Sequence, residues 1–132
     1  MILVDTSVLI DYLKGVSNSG VAKFEAILSK KIPWGITSFI YQEILQGAAS
    51  EKEFLVLKEY LDTQTFYELQ GGRESFAAAA KIYCRCRRNG ITVNGTIVLL
   101  IVQTALENGL ALLHHDRDYT HLKKIVADLM IY

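Results

Sequence analysis

The chain is short of several things, and each shortage closes off a class of protein. Lysine plus arginine number 14 and aspartate plus glutamate 14, for a formal net charge of +0. With no excess of positive charge, it is not a generally basic nucleic-acid binder, and any hold on a polyanion must come from local patches. Cys84 and Cys86 are the two cysteines. Two residues apart on a helix, they point to different faces, which argues against a disulfide between them. No further Cys or His stands at zinc-ligand spacing. Two free thiols in a reducing cytosol is the expectation. No apolar run is long enough to span a bilayer. The longest candidate, Ile97 to Val102, is a piece of an amphipathic helix. No basic region followed by an apolar core opens the chain, so no signal peptide is expected. There is no internal repeat, linker or low-complexity segment.

What is present is half hydrophobic and long enough, at 132 residues, to bury one core, so a single domain over 1–132 is expected. The organising stretch is Ile2-Leu3-Val4-Asp5-Thr6-Ser7. A continuous apolar run suits a strand buried on both faces, as in a parallel sheet. An acid at its end belongs in the crevice outside the carboxyl ends of the strands, where open α/β sheets hold ligands. Asp5 or Ser7 could equally cap the next helix.

Helical spacing continues through Val8, Leu9, Tyr12 and Leu13, and again through Val21, Phe24, Ile27 and Leu28. Pro33 to Thr37 reads as a short strand, with Pro33 at its first position, where a missing donor is tolerated. Ser38 is the expected cap of a helix from Phe39 to Gln46 that carries Glu43 beside Ile40 and Ile44. Glu51 to Leu61 forms a helix with Phe54, Leu57 and Leu61 expected inward. Thr65 to Tyr67 is a candidate edge strand.

A long helix follows from Arg73 to Arg88, its inward stripe read as Phe76, Ala80, Tyr83 and Cys84. Its basic end, with Lys81, Arg85 and Arg88, either favours its own dipole or contacts phosphate. Thr96 is positioned to cap a helix to Glu107, and Asn108-Gly109 to end it. Leu110 to Leu113 is a second buried strand, running into His114-His115-Asp116-Arg117-Asp118. Tyr119, Leu122, Ile125 and Val126 suggest a last helix, and Leu129 to Tyr132 a final strand. Strands alternating with helices imply a three-layer α/β/α fold with a mostly parallel twisted sheet.

Asp5 and Asp116 both follow buried strands and so lie on one side of a parallel sheet, and Glu43, on a helix after another strand, can reach that side. Such carboxylates repel and raise one another's pKa. A hard divalent cation, Mg²⁺ or Mn²⁺, relieves that repulsion and can serve phosphodiester hydrolysis.

The chain resembles a PIN-domain protein of the VapC toxin type. The resemblance rests on Val4-Asp5-Thr6-Ser7 with Leu9-Ile10-Asp11-Tyr12-Leu13, on Gln42-Glu43-Ile44-Leu45-Gln46-Gly47, on Gly90-Ile91-Thr92-Val93, on Ala105-Leu106-Glu107-Asn108-Gly109, and on Leu112 to Tyr119. It implies a small metal-dependent endoribonuclease, homodimeric and cytoplasmic, that is the toxin of a toxin–antitoxin pair. Its partners would be RNA and a VapB-like antitoxin. Asp5, Glu43 and Asp116 would be catalytic and would hold the metal, with Asp118 at a more variable acidic position. Thr6, Lys81, Arg85 and Arg88 are candidates to position substrate. One position departs from the family pattern: Val98 stands where an acid is usual, and valine neither ligates a metal nor orients water. The alternative is therefore a weakened or inactive PIN domain that binds antitoxin or RNA without cutting. Support for a dimer lies in the Val21 and Phe54 helices, whose apolar faces are expected to be exposed.

Overall fold

The computed structural model describes residues 1–132. Strand β1 (Ile2–Val4) leads into helices α1 (Thr6–Leu13) and α2 (Ser19–Ser29). Strand β2 (Trp34–Ile36) leads into α3 (Ser38–Gln46) and α4 (Glu51–Asp62). Then come β3 (Thr65–Phe66), α5 (Arg73–Arg88) and α6 (Ile97–Asn108), followed by β4 (Ala111–Leu113), α7 (Arg117–Ile125) and β5 (Met130–Ile131).

The strands lie in the order β3-β2-β1-β4-β5, and every neighbouring pair is parallel. Leu3 is matched with Gly35 on one side and Leu112 on the other. From β1 the chain steps outward through β2 and β3, then crosses back to lay β4 on the other side of β1. The order therefore reverses between β1 and β4, which opens a crevice beyond their carboxyl ends. Helices α1 to α4 pack among themselves, as do α5 to α7. Right-handed crossovers put the two groups on opposite faces of the sheet.

The centre of the sheet is apolar on both faces. Leu3, Val4, Ile36, Leu112 and Leu113 are all buried, as the continuous runs required. Gly35 is the exception in side-chain size. A Cβ there would come within 2.5 Å of the Thr65 carbonyl oxygen and 2.6 Å of the Tyr67 ring, so only glycine lets β3 lie this close. Gly109 closes α6 in the left-handed conformation, at φ 61°.

Several local expectations are corrected. Thr37, not Ser38, caps α3: its hydroxyl accepts from the Ile40 N–H at 3.1 Å. Thr96 precedes α6 but makes no capping bond. In α4 only Leu61 is buried; Leu57 is half-buried, and Phe54 is exposed along with Leu55 and Val56. In α2, Val21, Phe24 and Ile27 are buried against the core, so that helix offers no free apolar face. In α5 the buried stripe is Ser75, Ala79, Ile82 and Cys86. Phe76, Ala80, Tyr83 and Cys84 face outward. Both stripes have helical spacing. The smaller residues win because they let α5 lie close against α6, and because the Ser75 hydroxyl finds an acceptor in Glu107 at 3.0 Å.

Candidate active site

The crevice between β1 and β4 is built from the strand ends upward. Past Val4 the ladder runs one residue further, with the Asp5 N–H donating to the Leu113 carbonyl at 2.9 Å. That bond places Asp5 where β1 ends and α1 begins, and buries it to 4% exposure. Its carboxylate does two things at once. Oδ2 caps α1, accepting from the Ser7 N–H at 3.0 Å and the Ser7 hydroxyl at 2.6 Å. Oδ1 accepts from the Tyr119 hydroxyl at 2.7 Å. The two readings of Asp5, helix cap and crevice acid, are both satisfied by one side chain.

Ser7 carries the network across to β4. Its oxygen accepts from the His115 N–H at 2.9 Å, tying the loop after β4 to the first turn of α1. In that loop Asp116 caps α7, its Oδ1 accepting from the Asp118 N–H at 2.9 Å. The Asp116 N–H donates to His114 Nδ1 at 3.2 Å. His114 is half-buried against the Tyr119 ring, at 5.0 Å between centroids, and His115 is exposed. Burial pulls the His114 pKa down, against the opposing charges of Asp5 and Asp116.

Helix α3 supplies the third acid. Thr6 on α1 donates its hydroxyl hydrogen to Glu43 Oε1 at 2.9 Å. Glu43 Oε2 takes no hydrogen bond. Burial raises the Glu43 carboxyl above its usual range; the Thr6 bond opposes this, and the charges of Asp5 and Asp116 add to it. Burial also lifts the Tyr119 hydroxyl well above the usual tyrosine pKa, helped by the charge of Asp5, so Tyr119 stays a donor.

Asp5, Thr6, Glu43 and Asp116 line one cavity of about 230 Å³. Its opposite wall is apolar, formed by Ile97, Val98 and Ile101 of α6. No lysine or arginine lines it. No three His, Cys, Asp or Glu side chains come close enough together to enclose an ion. The chemistry of the donors nonetheless suits a hard cation, since every ligating atom offered is oxygen. A carboxylate has about four lone-pair positions. Asp5 has three donors on it, whereas Glu43 and Asp116 each carry one.

The remaining sequence candidates fall elsewhere. Asp118 faces an adjoining polar cleft, and its Oδ2 accepts from the Asn94 N–H at 3.3 Å. Lys81, Arg85 and Arg88 line neither this cavity nor the cleft. Arg85 is occupied, donating to the Ile125 carbonyl at 2.6 Å at the end of α7. Sequence reasoning read Tyr119 only as a core residue. Its one signal was a hydroxyl on the inner face of α7, three residues after Asp116.

Three comparisons bear on this geometry. The PIN domain family model matches residues 2–125. A VapC ribonuclease of Mycobacterium bovis, Mb1587, and ribonuclease VapC11 of Mycobacterium tuberculosis are each 28% identical over 126 residues, which is 95% of this chain and 93% of theirs. Among solved structures, VapBC2 from Rickettsia felis bound to a promoter DNA fragment superposes with a TM-score of 0.76 at 14% identity, covering 100% of this chain and 98% of that one. VapBC-1 from nontypeable Haemophilus influenzae gives 0.74 at 17%, covering 100% and 97%. At these identities the structural matches establish a shared fold.

Proposed function

The chain belongs to the PIN domain family, and we propose that it is a Mg²⁺- or Mn²⁺-dependent endoribonuclease acting as the toxin of a toxin–antitoxin pair. The observation that carries the reading is that Asp5, Glu43 and Asp116 line one cavity, with no lysine or arginine among its residues, at the β1/β4 switch point. The relatives named as ribonucleases and the structural neighbours solved as VapBC complexes support it.

A divalent cation held by Asp5, Glu43 and Asp116 would supply positive charge opposite a phosphodiester and lower the pKa of a nearby water. The protein's own side chains set the conditions. Tyr119 and Ser7 fix the Asp5 carboxylate in rotation. Thr6 holds Glu43 by one oxygen and leaves Oε2 open. The apolar wall of Ile97, Val98 and Ile101 keeps bulk water from one side, which strengthens electrostatics inside. Asp118 is not assigned to the ion, because it faces the neighbouring cleft.

Val98 favours a second reading. It stands directly in the cavity wall, at the position where the family pattern has an acid. A chain lacking that acid could bind antitoxin or RNA without cutting. The test is cleavage of a mixed RNA pool with Mn²⁺ by this chain and by Val98→Asp, with EDTA as control. The nuclease reading expects EDTA-sensitive cleavage by both, faster for Val98→Asp. Cleavage by Val98→Asp alone supports the binding module, and cleavage by neither overturns the nuclease reading.

For the antitoxin, the proposed seat is an apolar groove of about 520 Å³ between α1, α3 and α4, lined by Ile10, Leu13, Ile44, Val56 and Leu57. Its shape and lining suit the apolar face of a partner helix. The outward Phe76 and Tyr83 on α5 are the proposed face of a homodimer. No helix is long and apolar enough to cross a membrane, and the two free cysteines accord with the cytoplasm as the place of action.

A further inference from the structure

Beside the acid cavity lies a second hollow of about 820 Å³ with no hydrophobic residue in its lining. The two share Ser7 and Asp116, so they adjoin. Besides Ser7 of α1, the cleft is built from two segments. One is the stretch before α6, where Val93 is buried in the core and its neighbours Thr92 and Asn94 are exposed at the cleft. The other is the loop and first turns of α7, which contribute His115, Arg117 and His121. The Asn94 N–H on Asp118 Oδ2 joins the two segments.

The side chains of Thr92, Asn94, His115, Arg117 and His121 make no hydrogen bond within the protein, and the one ion pair of the molecule, Lys58–Asp62, lies elsewhere. They are therefore free for a ligand. The mixture of charges says which kind. Arg117 is opposed by two carboxylates, Asp116 and Asp118, so its positive charge is offset within the same lining. Such a lining is a poor trap for phosphate, which needs an excess of positive charge. It has what an unstacked RNA base needs: flat imidazole and guanidinium faces to stack on, and an amide and a hydroxyl to meet base edges.

We infer that this cleft is a base-binding subsite for single-stranded RNA, seating the nucleotide next to the phosphate that enters the acid cavity. The inference rests on the ribonuclease reading above and adds to it a source of sequence preference. Asn94 is the edge reader, since an amide can pair with an adenine edge through two bonds. His121 and Arg117 are the stacking partners. The basic end of α5 contributes only sequence-blind attraction.

The test is fluorescence anisotropy with labelled A6, C6 and U6 RNA, in Ca²⁺ in place of Mn²⁺. It uses the full chain, Asn94→Ala, His121→Ala and the pair Lys81→Ala with Arg88→Ala. All four positions are at the surface or half-buried, so the variants fold. The full chain should rank the three RNAs. Asn94→Ala and His121→Ala should each weaken the preferred one roughly tenfold and flatten the ranking. The Lys81/Arg88 pair should weaken all three alike, by about twofold, with a smaller salt dependence. A ranking that survives Asn94→Ala and His121→Ala overturns the subsite while leaving the ribonuclease reading standing. Failure of the full chain to bind any of the three RNAs overturns both.

Discussion

Two corners of the molecule each hold a half-buried glutamate, and the two are treated in opposite ways. Glu107, near the end of α6, accepts from the Gln70 N–H at 2.7 Å, the Ser75 hydroxyl at 3.0 Å and the Gln103 amide at 2.8 Å. Burial works to raise its pKa, but those hydrogen bonds outweigh it and hold the carboxyl below its usual range. Glu43, on α3, has one hydrogen bond and two carboxylates for neighbours, and its pKa is raised. Glu107 is a clamp that fastens the start of α5 and the segment before it to α6. Glu43 is left short of donors in a cavity with Asp5 and Asp116. The same residue type is a structural clamp where its oxygens are filled and a candidate ligand where they are kept open.

Between these extremes stands Asp5, which is both filled and placed at the site. Replacing it should have the largest effect. Asp5→Ala removes the cap of α1 and leaves the Tyr119 hydroxyl buried without an acceptor, a combined cost of about 3 kcal/mol. Urea unfolding checks this; a loss much under 1 kcal/mol would mean that the network relaxes onto water. Ion binding should be lost as well.

The two glutamates should then separate by sign. Glu107→Ala strands donors at the α5/α6 junction and should cost about 1 kcal/mol, after discounting for exposure. Glu43→Gln removes a repulsion and should leave stability unchanged or slightly higher, while weakening Mn²⁺ binding measured by calorimetry. Equal losses for both would erase the distinction between clamp and open site.

Acidity sharpens the contrast. Glu107 has a folded pKa below its unfolded value, so its contribution is fully present above about pH 4.5 and is lost as pH falls through the folded pKa. Glu43 has a folded pKa above its unfolded value, so its contribution is present below about pH 4.5 and is lost as pH rises through the folded pKa. Denaturant titrations over a range of pH should therefore show Glu107→Gln approaching the parent as pH falls. Glu43→Gln should approach it as pH falls from neutral, having been relatively more stable above. Parallel curves for the two variants would contradict the opposite shifts.

The smallest effects belong to the basic end of α5. Lys81→Ala with Arg88→Ala should change stability by less than about 0.5 kcal/mol. Arg85→Ala, which loses the bond to the Ile125 carbonyl, should cost about 0.5 to 1 kcal/mol and loosen α7. A thermal melt distinguishes them.

Much of this was legible in the residues themselves. The apolar runs at Ile2–Val4 and Leu110–Leu113 read as buried strands, and the acid after each as either a helix cap or a group in the crevice at the strand ends. Alternation of strand and helix implied parallel pairing, and helix breaks at Gly47 and Gly109 fell where glycine stood. The helix after a further strand brought Glu43 within reach of the same side, and the resemblance to PIN domains of the VapC type marked Val98 as the departure. The structure places that valine in the wall of the acid cavity.

Other features were decided by the tertiary structure, because the sequence was locally balanced. Helix α5 carries two stripes of equal period, and contact with α6 chose the one with Ser75 and Ala79 over the one with Phe76 and Tyr83. Helix α4 turns Phe54, Leu55 and Val56 outward because its partners reach only one side of it. Tyr119 reads as core by spacing alone; that its hydroxyl meets Asp5 depends on a contact across 114 residues of chain. Asp116 lines both cavities, whereas Asp118, two positions on, lines only the polar cleft, since α7 begins between them. Periodicity and strand-end chemistry act over a few residues, so they determined the elements and the acids on one edge. Which face packs, and which oxygen is left without a donor, is set by neighbours distant in sequence, and only the folded arrangement decided it.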